Sequence, residues 1–242
     1  MKNITVIGGG AWGTALATAA CRAKCSTKLY ARETEIVDAI NAGEGNPVFL
    51  PNVSLSKDIR ATADLNDAVK DADALLLVVP AQFLRATAKA LSDITPMHVP
   101  IVLAAKGIEQ GTLALMSEIV EETMPQHSMA AISGPSFAAE VARGLPVALT
   151  LACADDVLGQ KLINALASPM FRIYQSDDLI GAEIGGAVKN VLAIAIACGV
   201  VEGRGLGNNA RAALITRGLA ELMRLGHVKG AFTGAISNRS GK

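Results

Sequence analysis

Aromatic residues are scarce in this chain, making up 3% of its 242 residues, with a single tryptophan. That leaves little from which to build a stacking platform for single-stranded nucleic acid. Net charge is missing too. Lys and Arg number 22 and Asp and Glu 22, so no basic field argues for a nucleic-acid partner. Histidines number 3 and cysteines 4 (Cys21, Cys25, Cys153, Cys198), without a C-x-x-C pair. Cys21 and Cys25, four apart on an expected first helix, read as packed thiols, and no structural metal is expected. Long apolar runs are also absent. The most apolar stretch, Val191 to Val201, spans 11 residues, too short to cross a bilayer, so no membrane insertion is expected. Met1 and Lys2 lead straight into an expected strand, with no secretory pattern. A reduced, cytoplasmic protein follows as the expectation. No internal repeat or low-complexity tract is visible. Ser240-Gly241-Lys242 looks like the end of a phosphate loop, but G-x-x-x-x-G-K would need glycine at position 236, where Ile236 stands.

What the chain has is hydrophobic residues, 51% of the total, enough for a sizeable core in one or two domains. It also has a glycine pattern in a telling place. Ile4, Val6 and Ile7 form a short β-branched run, and Gly8, Gly10 and Gly13 follow in G-x-G-x-x-G spacing. The alanine-rich stretch from Thr14 to Lys24 then reads as helix. Strand, glycine turn and helix in that order are the context of a dinucleotide-binding fingerprint. One glycine makes the tight turn, one admits the pyrophosphate to the backbone, and one lets helix and strand pack closely.

The remaining segments alternate. Strands are expected at Thr27 to Ala31, Ile59 to Thr62, Ala74 to Val79, Ile101 to Ala104, Met129 to Ser133, Leu145 to Ala152 and Phe171 to Tyr174. Helices are expected between several of them, and Gly43 to Asn52 is a loop punctuated by Gly43, Gly45, Pro47 and Pro51. The run Ala74 to Val79 suits a parallel strand covered on both faces. This alternation predicts an α/β fold with a doubly wound sheet. Ligands on such sheets gather at the carboxyl ends of the strands. Near the end of the second strand, Arg32 lies 19 residues past Gly13. Its guanidinium suits a ribose 2′-phosphate, which leans slightly towards NADPH, although Glu33 leaves room for NAD and Arg32 also reads as an exposed residue at a helix start. Lys106 could reach a phosphate or carbonyl oxygen from its strand end, or simply be solvated. Ser136 reads equally as a helix cap or as part of an anion site.

After Asp178 the period changes. Leu179 to Val201 is apolar nearly all round, a helix buried in a second domain or an interface. It carries one cation, Lys189, whose helical neighbours Ala182, Gly185, Gly186 and Ala193 are all small. Glycine inside a helix costs about 1 kcal/mol relative to alanine, so a low-relief face beside an ammonium points to a close approach by a ligand. A snorkelling lysine is the alternative. A glycine-rich turn, Gly203 to Gly207, precedes a helix from Ala210 to Leu225, capped by Asn208 or Asn209 and stopped by Gly226. The boundaries expected are residues 1–177 for a dinucleotide-binding domain and 178–242 for the start of an all-α domain.

Four segments resemble bacterial NAD(P)-dependent glycerol-3-phosphate dehydrogenase: Gly8 to Ala17, Ala104 to Glu109, Ile132 to Pro146 and Gly185 to Gly226, with NPVFLP and VVPAQ between them. The resemblance implies a Rossmann-type sheet and reduction of dihydroxyacetone phosphate to sn-glycerol 3-phosphate with NADP or NAD, for glycerophospholipid synthesis. It implies Lys189 as catalytic acid/base. Lys106, Gly134, Ser136, Lys189 and, less firmly, Asn190 would meet the substrate. Ala11, Trp12, Arg32, Lys106 and Ala138 would join Gly8, Gly10 and Gly13 around the cofactor. The family continues past Gly226 for about a hundred residues, an ordinary domain size, with further substrate and cofactor residues. Ser237-Asn238-Arg239 is a faint echo of these, so the second domain is expected to be incomplete. Exposed apolar surface is expected there, with instability or self-association, at its simplest a homodimer. A cofactor-binding but catalytically impaired remnant is the competing reading, and a lysine-dependent hydroxyacid dehydrogenase a third.

Overall fold

A computed structural model describes residues 1–197 and 207–231; the side chains of 189–197 lie outside that description. In chain order the elements are β1 (Asn3–Ile7), α1 (Ala11–Arg22), β2 (Ser26–Tyr30), α2 (Thr34–Ala42), β3 (Ile59–Thr62), α3 (Leu65–Val69), β4 (Ala74–Leu77), α4 (Ala81–Ser92) and β5 (Ile101–Leu103). There follow α5 (Met116–Thr123), β6 (Met129–Ser133), α6 (Ala138–Arg143), β7 (Val147–Ala152), α7 (Asp156–Leu166), β8 (Phe171–Ser176), α8 (Leu179–Ala197) and α9 (Gly207–Lys229).

The strands form one 8-stranded sheet in the order β3-β2-β1-β4-β5-β6-β7-β8. Every neighbouring pair is parallel except β6 and β7. The chain therefore winds outward from β1 to β3, returns to β4 beside β1, and winds the other way. This is the doubly wound arrangement, and its switch point lies between β1 and β4.

Alternation along the strands sends side chains into two cores, one on each face. Ile4, Val6, Ala74, Leu76 and Val102 join one cluster, covered by α1, α2, α6 and α7. Ile7, Leu75, Leu77, Ile101 and Leu103 join the other, covered by α4 and α5. Burying each such Leu or Ile contributes about 1.5–3 kcal/mol. A third, smaller cluster of Leu115, Ile184 and Leu222 lies where α8 and α9 meet the segment before α5.

Several local expectations shift. The first helix begins at Ala11, because Gly10 occupies its N-cap. It ends at Arg22, with Lys24 at φ 69° turning the chain back. Cys25 thus sits off that helix, buried in the turn before β2, where its thiol donates to the Ala165 carbonyl at 3.2 Å and burial pushes its pKa up. Helix α5 was not expected from the sequence; its buried residues Met116, Ile119 and Val120 are a helical stripe that short length concealed. The last helix runs through Asn208, Asn209 and Gly226 as far as Lys229, and Gly230 at φ 91° follows it. A glycine stops a helix only where the next turn gains nothing from continuing. Here Gly226 is buried and Lys229 pairs with Glu118 at 3.1 Å.

Candidate active site

Strands β1, β4, β5 and β6 end nearly flush. Ile7 is registered with Leu77, Leu77 with Leu103, and Leu103 with Ala131. Four loops therefore leave the sheet side by side on one rim: Gly8 to Gly10, Val78 to Pro80, Ala104 to Leu115 and Gly134 to Phe137.

The first loop has the geometry of a phosphate cradle. Gly8 has φ +129°, and a Cβ there would stand 2.9 Å from the Val78 carbonyl oxygen. A Cβ at Gly13 would collide with the carbonyl oxygen of Gly8, so only glycine lets α1 come this close to β1. Gly10, by contrast, faces open space, with nothing within 4 Å of a Cβ built on it. The open face lies at the start of α1, where unpaired N–H groups and the helix dipole favour an anion. Trp12 adds a second sign of a missing partner, since its buried Nε1 has no hydrogen-bond partner. Gly8, Gly10, Ala11, Trp12 and Gly13 therefore fit a bound dinucleotide.

Lys106 ties this loop to the others. Its Nζ lies 5.9 Å from the centroid of the Trp12 ring, within cation–π range, and donates to the Gly134 carbonyl at 3.3 Å. Gly186 of α8 packs on the same place: a Cβ there would stand 2.8 Å from Ser133 Oγ and 3.6 Å from Lys106 Cγ. Bare backbone at Gly186 lets the helix lie against the rim, which accounts for a glycine inside it. Lys189 and Asn190 follow one turn later on α8; their side chains lie outside the described residues. Ala138, at the start of α6, packs on the same core cluster as Ala11 and Trp12.

Ser136 does not cap α6. Phe137 is its N-cap, without a side-chain bond, and Ser136 Oγ turns back towards the Gly134 carbonyl at 3.5 Å, leaving the hydroxyl half-buried beside the rim. Arg32 stands apart from this cluster. It follows β2, is 80% exposed, and pairs with Glu33 at 3.1 Å.

Sequence reasoning missed the braces that hold the loops. Gln82 of α4 donates to the Ile108 carbonyl at 2.9 Å and accepts from the Gln110 N–H at 2.9 Å. Arg85, one helical turn on, grips both oxygens of Glu109 at 2.9–3.1 Å and also pairs with Glu122 of α5. The guanidinium and the Thr112 hydroxyl hold the Glu109 carboxyl below its usual range. Glu183 of α8 is buried and accepts from the Ser117 N–H at 2.9 Å and the Ser117 hydroxyl at 2.5 Å. Burial raises its pKa, and the Ser117 bonds oppose the rise. The one available signal was a long-side-chain amide or acid near the start of α4 and of α8. That pattern is too common to single out without the fold.

Comparison with known proteins decides the family. A family model described as NAD-dependent glycerol-3-phosphate dehydrogenase N-terminus matches residues 3–158, and its C-terminal counterpart matches residues 178–241. The chain belongs to the NAD-dependent glycerol-3-phosphate dehydrogenase family. As a member it is an NAD(P)-dependent oxidoreductase, and NAD or NADP is its cofactor. Glycerol-3-phosphate dehydrogenase [NAD(P)+] of Paramagnetospirillum magneticum is 58% identical over 241 residues, covering 100% of this chain and 86% of that one. The enzyme of the same name from Rhodospirillum rubrum is 55% identical, covering 100% of this chain and 68% of its own length. The crystal structure of glycerol-3-phosphate dehydrogenase from Coxiella burnetii superposes with a TM-score of 0.91 at 38% identity, covering 99% of this chain and 73% of that chain. Among the described residues no helix is long and apolar enough to cross a membrane, and no group of His, Cys, Asp or Glu could hold a metal ion.

Proposed function

We propose that the chain interconverts dihydroxyacetone phosphate and sn-glycerol 3-phosphate with NADPH or NADH, supplying the backbone of glycerophospholipids in the cytoplasm. The observation that carries this is the placement of Lys106 between the Trp12 ring and the Gly134 carbonyl, with α8 seated on its stem through Gly186. One ammonium thereby joins the dinucleotide loop to the loop proposed for the substrate.

Residues 1–177 act as the dinucleotide-binding domain and 178–242 as a helical substrate domain. Gly8, Gly10, Ala11, Trp12 and Gly13 would hold the bound dinucleotide, Ala138 would line the same wall, and Arg32, just past β2, would meet a ribose 2′-phosphate. The Arg32–Glu33 pair leaves both cofactors admissible. When bound, the reduced nicotinamide supplies a hydride to the ketone carbon. Lys189 stabilises the alkoxide that develops on the ketone oxygen and donates a proton to it, giving the secondary alcohol. Lys106 neutralises charge beside the phosphate or carbonyl, Gly134 and Ser136 offer polar contacts at the rim, and Asn190 adds a hydrogen bond. A homodimer is the simplest assembly that would cover apolar residues of α9.

The test is oxidation of NADPH on addition of dihydroxyacetone phosphate, with Lys189→Ala alongside. A loss of about 10²–10⁴-fold is the expected effect of removing a general acid. Turnover unchanged by Lys189→Ala would refute the assigned mechanism. NADPH binding without any turnover of the unaltered chain would favour the cofactor-binding remnant.

A further inference from the structure

Asn46 is a polar residue almost without exposure, at 1%, in the loop between α2 and β3, and it has no part in the chemistry proposed for Lys106 and Lys189. Its Nδ2 donates to the Gly9 carbonyl at 2.8 Å and to Thr14 Oγ1 at 2.8 Å. Its Oδ1 accepts from the Phe49 N–H at 3.0 Å. The Thr14 hydroxyl also reaches the Gly9 carbonyl, at 3.4 Å. Two side chains from separate elements thus converge on a single carbonyl of the glycine-rich loop.

The consequence follows from the peptide unit. In a trans peptide the C=O and the next N–H point in opposite directions, and the described residues contain no cis bond. Holding the Gly9 oxygen inward therefore aims the Gly10 N–H the opposite way, towards the start of α1, and a Cβ built on Gly10 itself meets nothing within 4 Å. If that peptide flipped, a carbonyl oxygen would face the anion and an N–H would be lost from the cradle. Glycines flank the bond, so local sterics do little to prevent the flip. Asn46 and Thr14 supply the missing preference.

We infer that Asn46 is a positioning residue for the cofactor's pyrophosphate, orienting the Gly9–Gly10 peptide through its bond to the Gly9 carbonyl. The inference rests on the dinucleotide reading of the glycine loop. It also gives the α2–β3 loop a role, because the same amide ties that loop to the cradle through the Phe49 N–H.

The experiment uses the full chain, with fluorescence of Trp12, its sole tryptophan, as the binding signal. NADPH, ADP-ribose and adenosine are titrated into the unaltered chain, Asn46→Ala and Thr14→Val. The expected result for Asn46→Ala is at least a roughly tenfold weaker binding of the two diphosphate ligands, with adenosine unchanged. In turnover the loss appears in KM for NADPH and leaves kcat nearly intact. Thr14→Val, which removes only the longer bond to Gly9 and one partner of Asn46, shifts the same ligands in the same direction by less, and keeps the inference testable if Asn46→Ala does not fold. Unchanged NADPH affinity in a folded Asn46→Ala chain overturns the inference. So does an equal loss for adenosine and ADP-ribose, which would mean general loosening. Failure of the unaltered chain to bind NADPH counts against the dinucleotide reading itself, and with it against this role of Asn46.

Discussion

Helices α1 and α9 are both rich in alanine, yet the fold uses them differently. In α1, 12 residues long, every residue from Gly13 to Ala20 is buried. In α9, 23 residues long, the buried residues are Gly218, Leu222 and Gly226. Ile215, Leu219 and Met223, one turn apart in succession, are 39%, 47% and 42% exposed. The difference lies in the surface each meets. α1 lies in the cleft of a twisted sheet, flanked by α6, and its small side chains let backbone approach backbone. α9 meets α8 and the edge of α5, and is held there by a three-residue apolar cluster and directional polar contacts. Apolar packing secures the sheet region; hydrogen bonds and ion pairs contribute a larger share where α8 and α9 attach.

The sharpest way to break this contrast is to truncate one leucine in each region. Leu16→Ala, at a position 2% exposed in the larger core, should cost about 2–5 kcal/mol, because the surrounding helices and sheet cannot collapse into the cavity. Leu222→Ala, in the small cluster, should fall near the bottom of that range, since its half-exposed neighbours can relax. Denaturant unfolding of both variants measures the pair. Equal losses would show the two regions to be packed alike.

A smaller and pH-dependent effect is expected at the joint between them. Glu183 has its pKa raised by burial, so the native state keeps its proton at pH values where the unfolded chain has released it. Stability linked to this group is complete below about pH 4.5, the ordinary glutamate value, and declines as pH rises through the raised native pKa. Glu183→Gln, which still accepts from the Ser117 N–H, removes that decline. Its Tm relative to the unaltered chain should therefore climb as pH rises above about 4.5. Parallel Tm curves would mean that the Ser117 bonds keep the carboxylate ionised as readily as water does.

The smallest change is expected at Lys229. Its pair with Glu118 sits at the surface, where such bridges contribute about 0–1 kcal/mol. Lys229→Ala should cost no more than that, and the cost should shrink with added salt. A salt-insensitive loss would mean that the bond from Lys229 Nζ to the Leu113 carbonyl matters more than the charge pair.

Much of the fold was legible because its signals are local. Ala74 to Val79 read as a strand covered on both faces, and the structure has one there over Ala74–Leu77; Gly8, Gly10 and Gly13 between β1 and α1 pointed to a dinucleotide site. Lys106 was legible as a candidate for the rim, since it follows a strand, whereas Gly134 entered through the family resemblance. Other features were not. Ser136 read equally as a helix cap or as part of an anion site, and only the fold removes the cap, since the chain enters α6 one residue later. Gly226 looked like a stop, but a buried glycine is compatible with a continuing helix. Asn46, Gln82 and Glu183 carry no local signature, because each acts on a backbone group distant in sequence.

By itself, then, the sequence determined the α/β alternation, the glycine loop and the class of ligand, because turns, strand burial and helix starts depend on neighbours along the chain. Tertiary structure alone decided which loops share a rim, that Lys106 spans Trp12 and Gly134, that α8 rests on that lysine through Gly186, and that Asn46 holds the Gly9 carbonyl. Those facts depend on strand order and register, which bring together residues tens of positions apart.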